Sequence, residues 1–324
     1  MKSTSCGLAV VLLYTSATAF SLSSLGSSLG SLLGLSDDDD DVTASAATLN
    51  DAELANMKYF VEFAAASYCN SDATLVGQNV LCTKDSCPTL TANSVLNFAY
   101  LGDAHQDADG FVAIDDTTQT IVVTYKGTTS ITDFVTDALF STESCDDLVS
   151  GCQVHTGFSL AWSEVQSSTL TAVSSALSQR LTYSLVVTGH SLGGSIATLA
   201  GAYLRAAGYA LDIYSYGSPR VGNEEFAEFV TTQAGTHYRV THLADPGPRY
   251  PTHILGYRHT SPEYWLSTGE AKTVDYSVGD VVVCEGTYND DCNGGTEIGA
   301  WTPHGYYFTK VGACKGDLTL WKRD

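Results

Sequence analysis

The run Gly189-His190-Ser191-Leu192-Gly193-Gly194, entered from the apolar segment Ser184 to Thr188, limits this chain more than any other feature. It places a serine on a turn between a strand and a helix, with a glycine two residues away on either side. Such a turn holds its central residue in a strained backbone conformation. Strand and helix then approach so closely that side chains at the two flanking positions would clash, and the serine hydroxyl stands at the tip. Three specified positions recur by chance too often to decide anything alone. The context decides more: a β-branched run precedes the turn, and Ser195 to Ala207, rich in Ala and Leu and free of Pro, follows it, with Gly208 as a helix stop.

With 324 residues, 44% of them hydrophobic, the chain can bury one large core, and an open α/β sheet of this size need not split. Lys2, the apolar run Leu8 to Leu13 and the small-residue site Ala17-Thr18-Ala19 have the layout of a secretory signal peptide, residues 1–19. That run is far short of the roughly 20 residues that cross a bilayer, and nothing later supplies another span. Export to the extracellular space is the expectation. Residues 20–48 are of low complexity: Ser21 to Leu35 is almost wholly Ser, Leu and Gly, and Asp37 to Asp41 follows. A disordered pro-segment fits this composition. Leu22, Leu25, Leu29, Leu32 and Leu33 fall at helical spacing, which leaves a weak amphipathic helix as the other reading. A single globular domain, 49–324, follows.

Fifteen basic against 36 acidic residues give a net charge of −21. Such a surface lacks the Lys/Arg footprint that nucleic acid requires, and no nucleic-acid partner is expected. Of nine cysteines, Cys6 falls inside the leader and eight remain, an even number consistent with disulfides and export. Their spacings (Cys82/Cys87, Cys145/Cys152, Cys284/Cys292) do not give the paired C-x-x-C pattern of a zinc site, so neither a metal nor a cofactor is expected.

From Asp51 the pattern becomes that of an amphipathic helix, with Leu54, Met57, Val61 and Ala64 at intervals of three and four and Phe60 beside them. Gly110 to Ile114 and Thr120 to Tyr125 read as a hairpin about Asp115-Asp116. Leu185 to Thr188, Leu211 to Tyr216 and His237 to Thr241 read as further strands, with helices between the later ones. That order predicts a mainly parallel central sheet with helices on both faces.

A serine hydroxyl is nearly inert at neutral pH. Ser191 therefore needs a histidine to take its proton and a carboxylate to fix that histidine's tautomer. In this architecture the chain order is Ser, Asp, His. Asp245 follows the strand His237 to Thr241 by a short turn. Of eight histidines, His304, in Trp301-Thr-Pro-His304-Gly-Tyr-Tyr-Phe308, alone lies well beyond Asp245. His190 adjoins Ser191 and its side chain should point away. His155, His237, His242, His253 and His259 precede or neighbour the acid, and His105 lies far upstream. Pattern alone leaves two bland readings open: a hydrogen-bonded structural His304, and Asp245 as a turn-forming Asp-Pro residue.

Tyr214-Ser-Tyr-Gly-Ser-Pro-Arg-Val-Gly-Asn223, Phe226-Ala-Glu-Phe229, Tyr238-Arg-Val-Thr-His242, His259-Thr-Ser-Pro-Glu-Tyr-Trp265 and His304 to Phe308 together resemble the secreted fungal class 3 lipases of the Thermomyces and Rhizomucor type. The resemblance runs from about Asp51 to Cys314. It implies an α/β-hydrolase fold with a short helical lid, a triad of Ser191, Asp245 and His304, and hydrolysis of triacylglycerol esters at a lipid-water interface. It implies bridges Cys69 to Cys314, Cys82 to Cys87 and Cys145 to Cys152, with Cys284 and Cys292 left as a less widely shared pair. It also implies an oxyanion hole from Thr128, in Val123-Thr-Tyr-Lys-Gly-Thr128, and the backbone N–H of Leu192. Read without the family, Thr128 is a polar turn residue. Ile131, Phe134, Val135, Ala138 and Leu139 fall near one helical face of Ser130 to Phe140, the place of the family's lid; such a short helix is otherwise read as core.

Three departures from the family pattern are visible. Lys126 stands where arginine is usual and cannot make a planar bidentate contact. Phe134 replaces the usual lid tryptophan. Asp245-Pro-Gly-Pro248 replaces Asp followed by aliphatic residues, and Pro246 biases Asp245 toward extended backbone angles. There is no Asn-x-Ser/Thr sequon. Besides a triacylglycerol lipase, the residues admit a feruloyl esterase or other soluble carboxylesterase of the same fold, against which the apolar lid argues. A remoter reading is a lipid-surface binding protein that keeps the fold without the chemistry.

Overall fold

The computed structural model describes residues 48–102, 108–128 and 140–315. The chain divides into two units, Met1–Ser45 and Ala46–Asp324, and every described residue belongs to the second. No helix among the described residues is long and apolar enough to cross a membrane.

Helix α1, Asp51–Asn70, opens with a capping box: the Asn50 side chain accepts from the N–H of Glu53, and the Glu53 carboxylate accepts from the N–H of Asn50. The short α2, Pro88–Ala92, follows, and then three antiparallel strands, β1 (Leu96–Leu101), β2 (Gly110–Asp115) and β3 (Thr120–Tyr125). After the small hairpin β4 (Thr142–Ser144) and β5 (Gln153–His155) comes α3, Thr156–Gln179. The remainder alternates strand and helix: β6 (Ser184–His190), α4 (Leu192–Ala206), β7 (Leu211–Tyr216), α5 (Glu224–Thr232) and β8 (His237–His242). Two further strands, β9 (Glu263–Leu266) and β10 (Val281–Cys284), complete the large sheet, and β11 (Tyr306–Tyr307) pairs with β12 (Thr309–Lys310) beside it.

The eight-stranded sheet has the order β1-β2-β3-β6-β7-β8-β9-β10. Strands β3, β6, β7, β8 and β9 run parallel, and β10 returns antiparallel along β9. Strand β3, Thr-Ile-Val-Val-Thr-Tyr, is buried at every position, as a strand covered on both faces must be. Ile121, Val123 and Tyr125 join a core built with α3 and α4. Val122 points the other way, into a second core with Phe60 and Phe63 of α1 and Tyr214 and Tyr216 of β7. The two-fold alternation of strand side chains thus fastens α1 to one face and α3 and α4 to the other.

Four disulfides join Cys69 to Cys314, Cys82 to Cys87, Cys145 to Cys152 and Cys284 to Cys292. The first ties the end of α1 to the end of the described chain. The other three close short loops.

Candidate active site

The parallel strands end at one edge of the sheet, where ligand crevices of open α/β sheets form. Ser191 stands between β6 and α4 with φ 57° and ψ −130°, a conformation that L residues rarely adopt. Its N–H is held by the carbonyl of Tyr216 at the end of β7, 2.9 Å away. The flanking glycines make the turn possible. A Cβ on Gly189 would lie 2.2 Å from the carbonyl oxygen of Gly193, and one on Gly193 would lie 2.2 Å from that of Tyr125. Ser191 is 2% exposed, and among the described residues its Oγ has no hydrogen-bond partner.

His304 sits in the 3-10 turn Thr302–Gly305, far away in sequence, with its Nδ1 2.9 Å from each oxygen of Asp245. A ring nitrogen facing a carboxylate carries the proton, so Nε2 is the nitrogen left to accept one. Both side chains are buried, and water does not dilute the pairing. Asp245 is further fixed by the N–H of Gly247, which donates to Oδ1 at 2.8 Å, and by the hydroxyl of Tyr307, which donates to Oδ2. Gly247 must be glycine: a Cβ there would lie 2.6 Å from the His304 ring. The Asp-Pro-Gly-Pro departure therefore supplies a close-packed cradle for the carboxylate.

Two more histidines brace the turn that carries His304. His190 Nε2 donates to the carbonyl of His304 at 2.7 Å, while its Nδ1 accepts from the hydroxyl of Tyr68 at 2.8 Å. Burial, and then the nearby His304, push its pKa well down, which keeps it neutral. His242 Nδ1 donates to the carbonyl of Pro303 at 3.0 Å, and Tyr276 donates to its Nε2 at 2.8 Å. Burial lowers its pKa too. His190, expected to point away from Ser191, packs against the turn of His304, its ring 4.7 Å from the His304 ring.

Strands β3 and β6 lie side by side with Tyr125 opposite Gly189, so Thr128 and Leu192, each three residues further on, leave the sheet at the same edge. Leu192 opens α4, where unsatisfied backbone N–H groups gather. Lys126 pairs with Asp109 through both its ammonium, on Oδ2, and its main chain, whose N–H donates to the Asp109 carbonyl at 2.8 Å. Tyr100 takes the other carboxylate oxygen at 2.6 Å. Lysine and tyrosine thus share an aspartate that one arginine could have held with both oxygens. The lid positions Ile131, Phe134, Val135, Ala138 and Leu139 lie outside the described residues.

Residues 122–254 match the family model described as lipase (class 3). Secreted mono- and diacylglycerol lipase 1 of Fusarium solani is 44% identical over 279 residues, covering 86% of this chain and 83% of that relative. The chain belongs to the class 3 lipases. Secreted mono- and diacylglycerol lipase A of Penicillium camembertii is 36% identical over 84% of this chain and 90% of its own. The crystal structure of a mono- and diacylglycerol lipase from Aspergillus oryzae superposes with a TM-score of 0.76 at 35% identity, covering 82% of this chain and 99% of that one. The lipase is a carboxylic ester hydrolase with the α/β-hydrolase fold.

In this lipase the structure brings Asp245 and His304 together in direct contact and sets Ser191, Thr128 and Leu192 on adjoining strand ends. Sequence reasoning missed Tyr307, Gly247, His242 and Tyr68. Tyr307, Gly247 and His242 stood in segments already singled out, beside His304, after Asp245 and at the end of Tyr238 to His242; Tyr68 carried no signal.

Proposed function

We propose that this lipase is secreted and hydrolyses acylglycerol esters through an acyl-enzyme, with Ser191 as nucleophile, His304 as base and Asp245 as its orienting acid. The buried pairing of His304 with Asp245, beside a strained serine elbow, carries the reading. Ser191 Oγ attacks the ester carbonyl carbon as its proton passes to His304 Nε2. The backbone N–H groups of Thr128 and Leu192, with the Thr128 hydroxyl, receive the oxyanion, each donor contributing roughly 3 kcal/mol to the transition state. Collapse expels the glycerol oxygen, which takes the proton from His304. Water then attacks the acyl-serine by the same route, releasing the fatty acid and restoring Ser191.

The names of the relatives point to mono- and diacylglycerols as the first substrates to try, with triacylglycerol one acyl chain further. The apolar positions Ile131, Phe134, Val135, Ala138 and Leu139 are the candidates for a lid; apolar area moved from water to an oil surface gains roughly 25 cal/mol per Å² buried. The leader 1–19, a pro-segment 20–48 and a catalytic domain 49–324, with four bridges and relatives named as secreted, support an extracellular enzyme. The charge of −21 speaks against nucleic acid as a partner.

Initial rates on mono-, di- and triacylglycerols of one acyl length, taken across each solubility limit beside a soluble feruloyl ester, test this. A rate that climbs once droplets form, with little feruloyl release, supports it. A hyperbolic curve with good feruloyl cleavage makes the protein a soluble esterase.

A further inference from the structure

Asp245 sits after a turn that should not hold itself. Its N–H closes the turn onto the carbonyl of His242 at 2.9 Å, and the first central residue is Leu243, at φ 42°. Turns with positive φ at that position favour glycine, and a leucine there is strained. The next residue, Pro246, has no N–H to give. The backbone that aims the carboxylate therefore depends on contacts from outside the turn.

The Leu243 N–H donates to the carbonyl of Leu266 at 2.9 Å, and one residue supplies two further bonds. Asn293, 2% exposed, directs its side-chain Nδ2 to two carbonyls at once: that of Leu243 at 3.0 Å and that of Asp245 at 3.0 Å. An amide nitrogen has two hydrogens, and both are used. Trp265 Nε1 adds a second donor to the Leu243 carbonyl at 2.9 Å. Asn293 is in turn fixed from three sides. Its N–H donates to Glu263 Oε1 at 3.2 Å, and its carbonyl accepts from Arg249 Nη1 at 3.2 Å and from Thr296 Oγ1 at 2.8 Å. It directly follows Cys292, whose bridge to Cys284 moors this stretch to the last strand of the sheet.

We propose that Asn293 is a positioning residue for the acid: its amide staples the strained Leu243 turn, and the Cys284–Cys292 loop exists to deliver it there. The proposal rests on the reading of Asp245 and His304 as acid and base. Asn293 touches neither His304 nor Ser191 through any bond described above. Its effect must pass through Asp245, and that makes it separable from a general role in folding.

The test is a double-mutant cycle on the full chain, with kcat and KM measured on a soluble short-chain ester below its solubility limit. Asn293→Ala is expected to lower kcat about tenfold or more, within the roughly hundredfold that a 1 Å misplacement brings, with KM changed less than about twofold. In an Asp245→Asn background the same substitution is expected to cost less than about twofold, because the acid it aims is already gone. Equal losses in both backgrounds, or an unchanged kcat in the single variant, overturn the proposal and leave Asn293 a structural residue. An Asp245→Asn variant as active as the parent overturns the acid assignment itself, a distinguishable result. Should Asn293→Ala not fold, Asn293→Ser keeps one donor and is expected to lose part of kcat with KM unchanged; full activity in that variant overturns the proposal as well.

Discussion

Gly193→Ala is the smallest change that attacks the elbow without touching a titrating group. The added Cβ would lie 2.2 Å from the Tyr125 carbonyl oxygen, 2.8 Å from its carbon and 2.9 Å from the Lys126 carbon. A carbon and an oxygen rest no closer than about 3.3 Å, so the start of α4 and the end of β3 must separate by about 1 Å. All three obstacles are backbone in the centre of the sheet, and no side chain can swing aside. Overpacking of this kind costs about 1–3 kcal/mol of stability. The displacement also parts Leu192, just before Gly193, from Thr128, just after β3, and a misplacement of about 1 Å lowers turnover on the order of a hundredfold. Gly305→Ala is the matched control. It adjoins His304, yet its Cβ would meet nothing within 4 Å. Turnover of a soluble ester and the thermal midpoint should fall in the first variant and hold within about threefold and 2 °C in the second. A Gly193→Ala enzyme with parental turnover would refute the steric account of the elbow, and equal losses in both variants would refute its locality.

Other outcomes follow from the same structure. Tyr307→Phe removes a fully buried donor to Asp245; urea unfolding should report a loss of about 1.5–3 kcal/mol, the worth of a hydrogen bond to a charged group, together with lower kcat. His155, His190, His237, His242 and His259 all have pKa values held down mainly by burial. The unfolded chain takes up a proton at each as pH falls through about 6.5 and the folded chain does not. Stability present above that pH is therefore lost as pH drops toward the depressed values, by about 1.4 kcal/mol per unit for each histidine. Glu62, whose pKa burial raises, opposes this with one group. Urea midpoints at pH 7.5, 6.5 and 5.5 should decline, and a flat series would contradict neutral buried histidines. Lys126→Met leaves Asp109 with Tyr100 alone and should lower kcat several-fold on a soluble ester, with recovery in Lys126→Arg.

Much of this was legible because local chemistry and global fold agree. The glycine-flanked serine, the apolar stripe of α1 from Leu54 to Ala64, and the continuous apolar runs of β3 and β6 each demand one conformation. Gly208, at φ 92°, ends α4 as its type suggests. Other parts hid. Helix α3 buries Phe158, Trp162, Val165, Thr169, Ala172 and Ala176 at helical spacing, but its many Ser and Thr residues blur the contrast between faces. Strands β9 and β10 have four residues each, too few for a period to emerge. In the candidate site, order along the chain singles out His304 and Asp245, and the structure pairs their side chains. The braces from His190, His242 and Asn293 were not legible, because each acts on a backbone carbonyl, and carbonyls leave no mark on a sequence.

The most direct measurement is covalent. The folded enzyme, treated with a fluorophosphonate ester and digested, should yield one adduct by peptide mass spectrometry, on Ser191, in step with loss of esterase activity, and His304→Ala should slow the labelling on the order of a thousandfold or more. An adduct on another residue, or an active enzyme that stays unlabelled, would contradict the account.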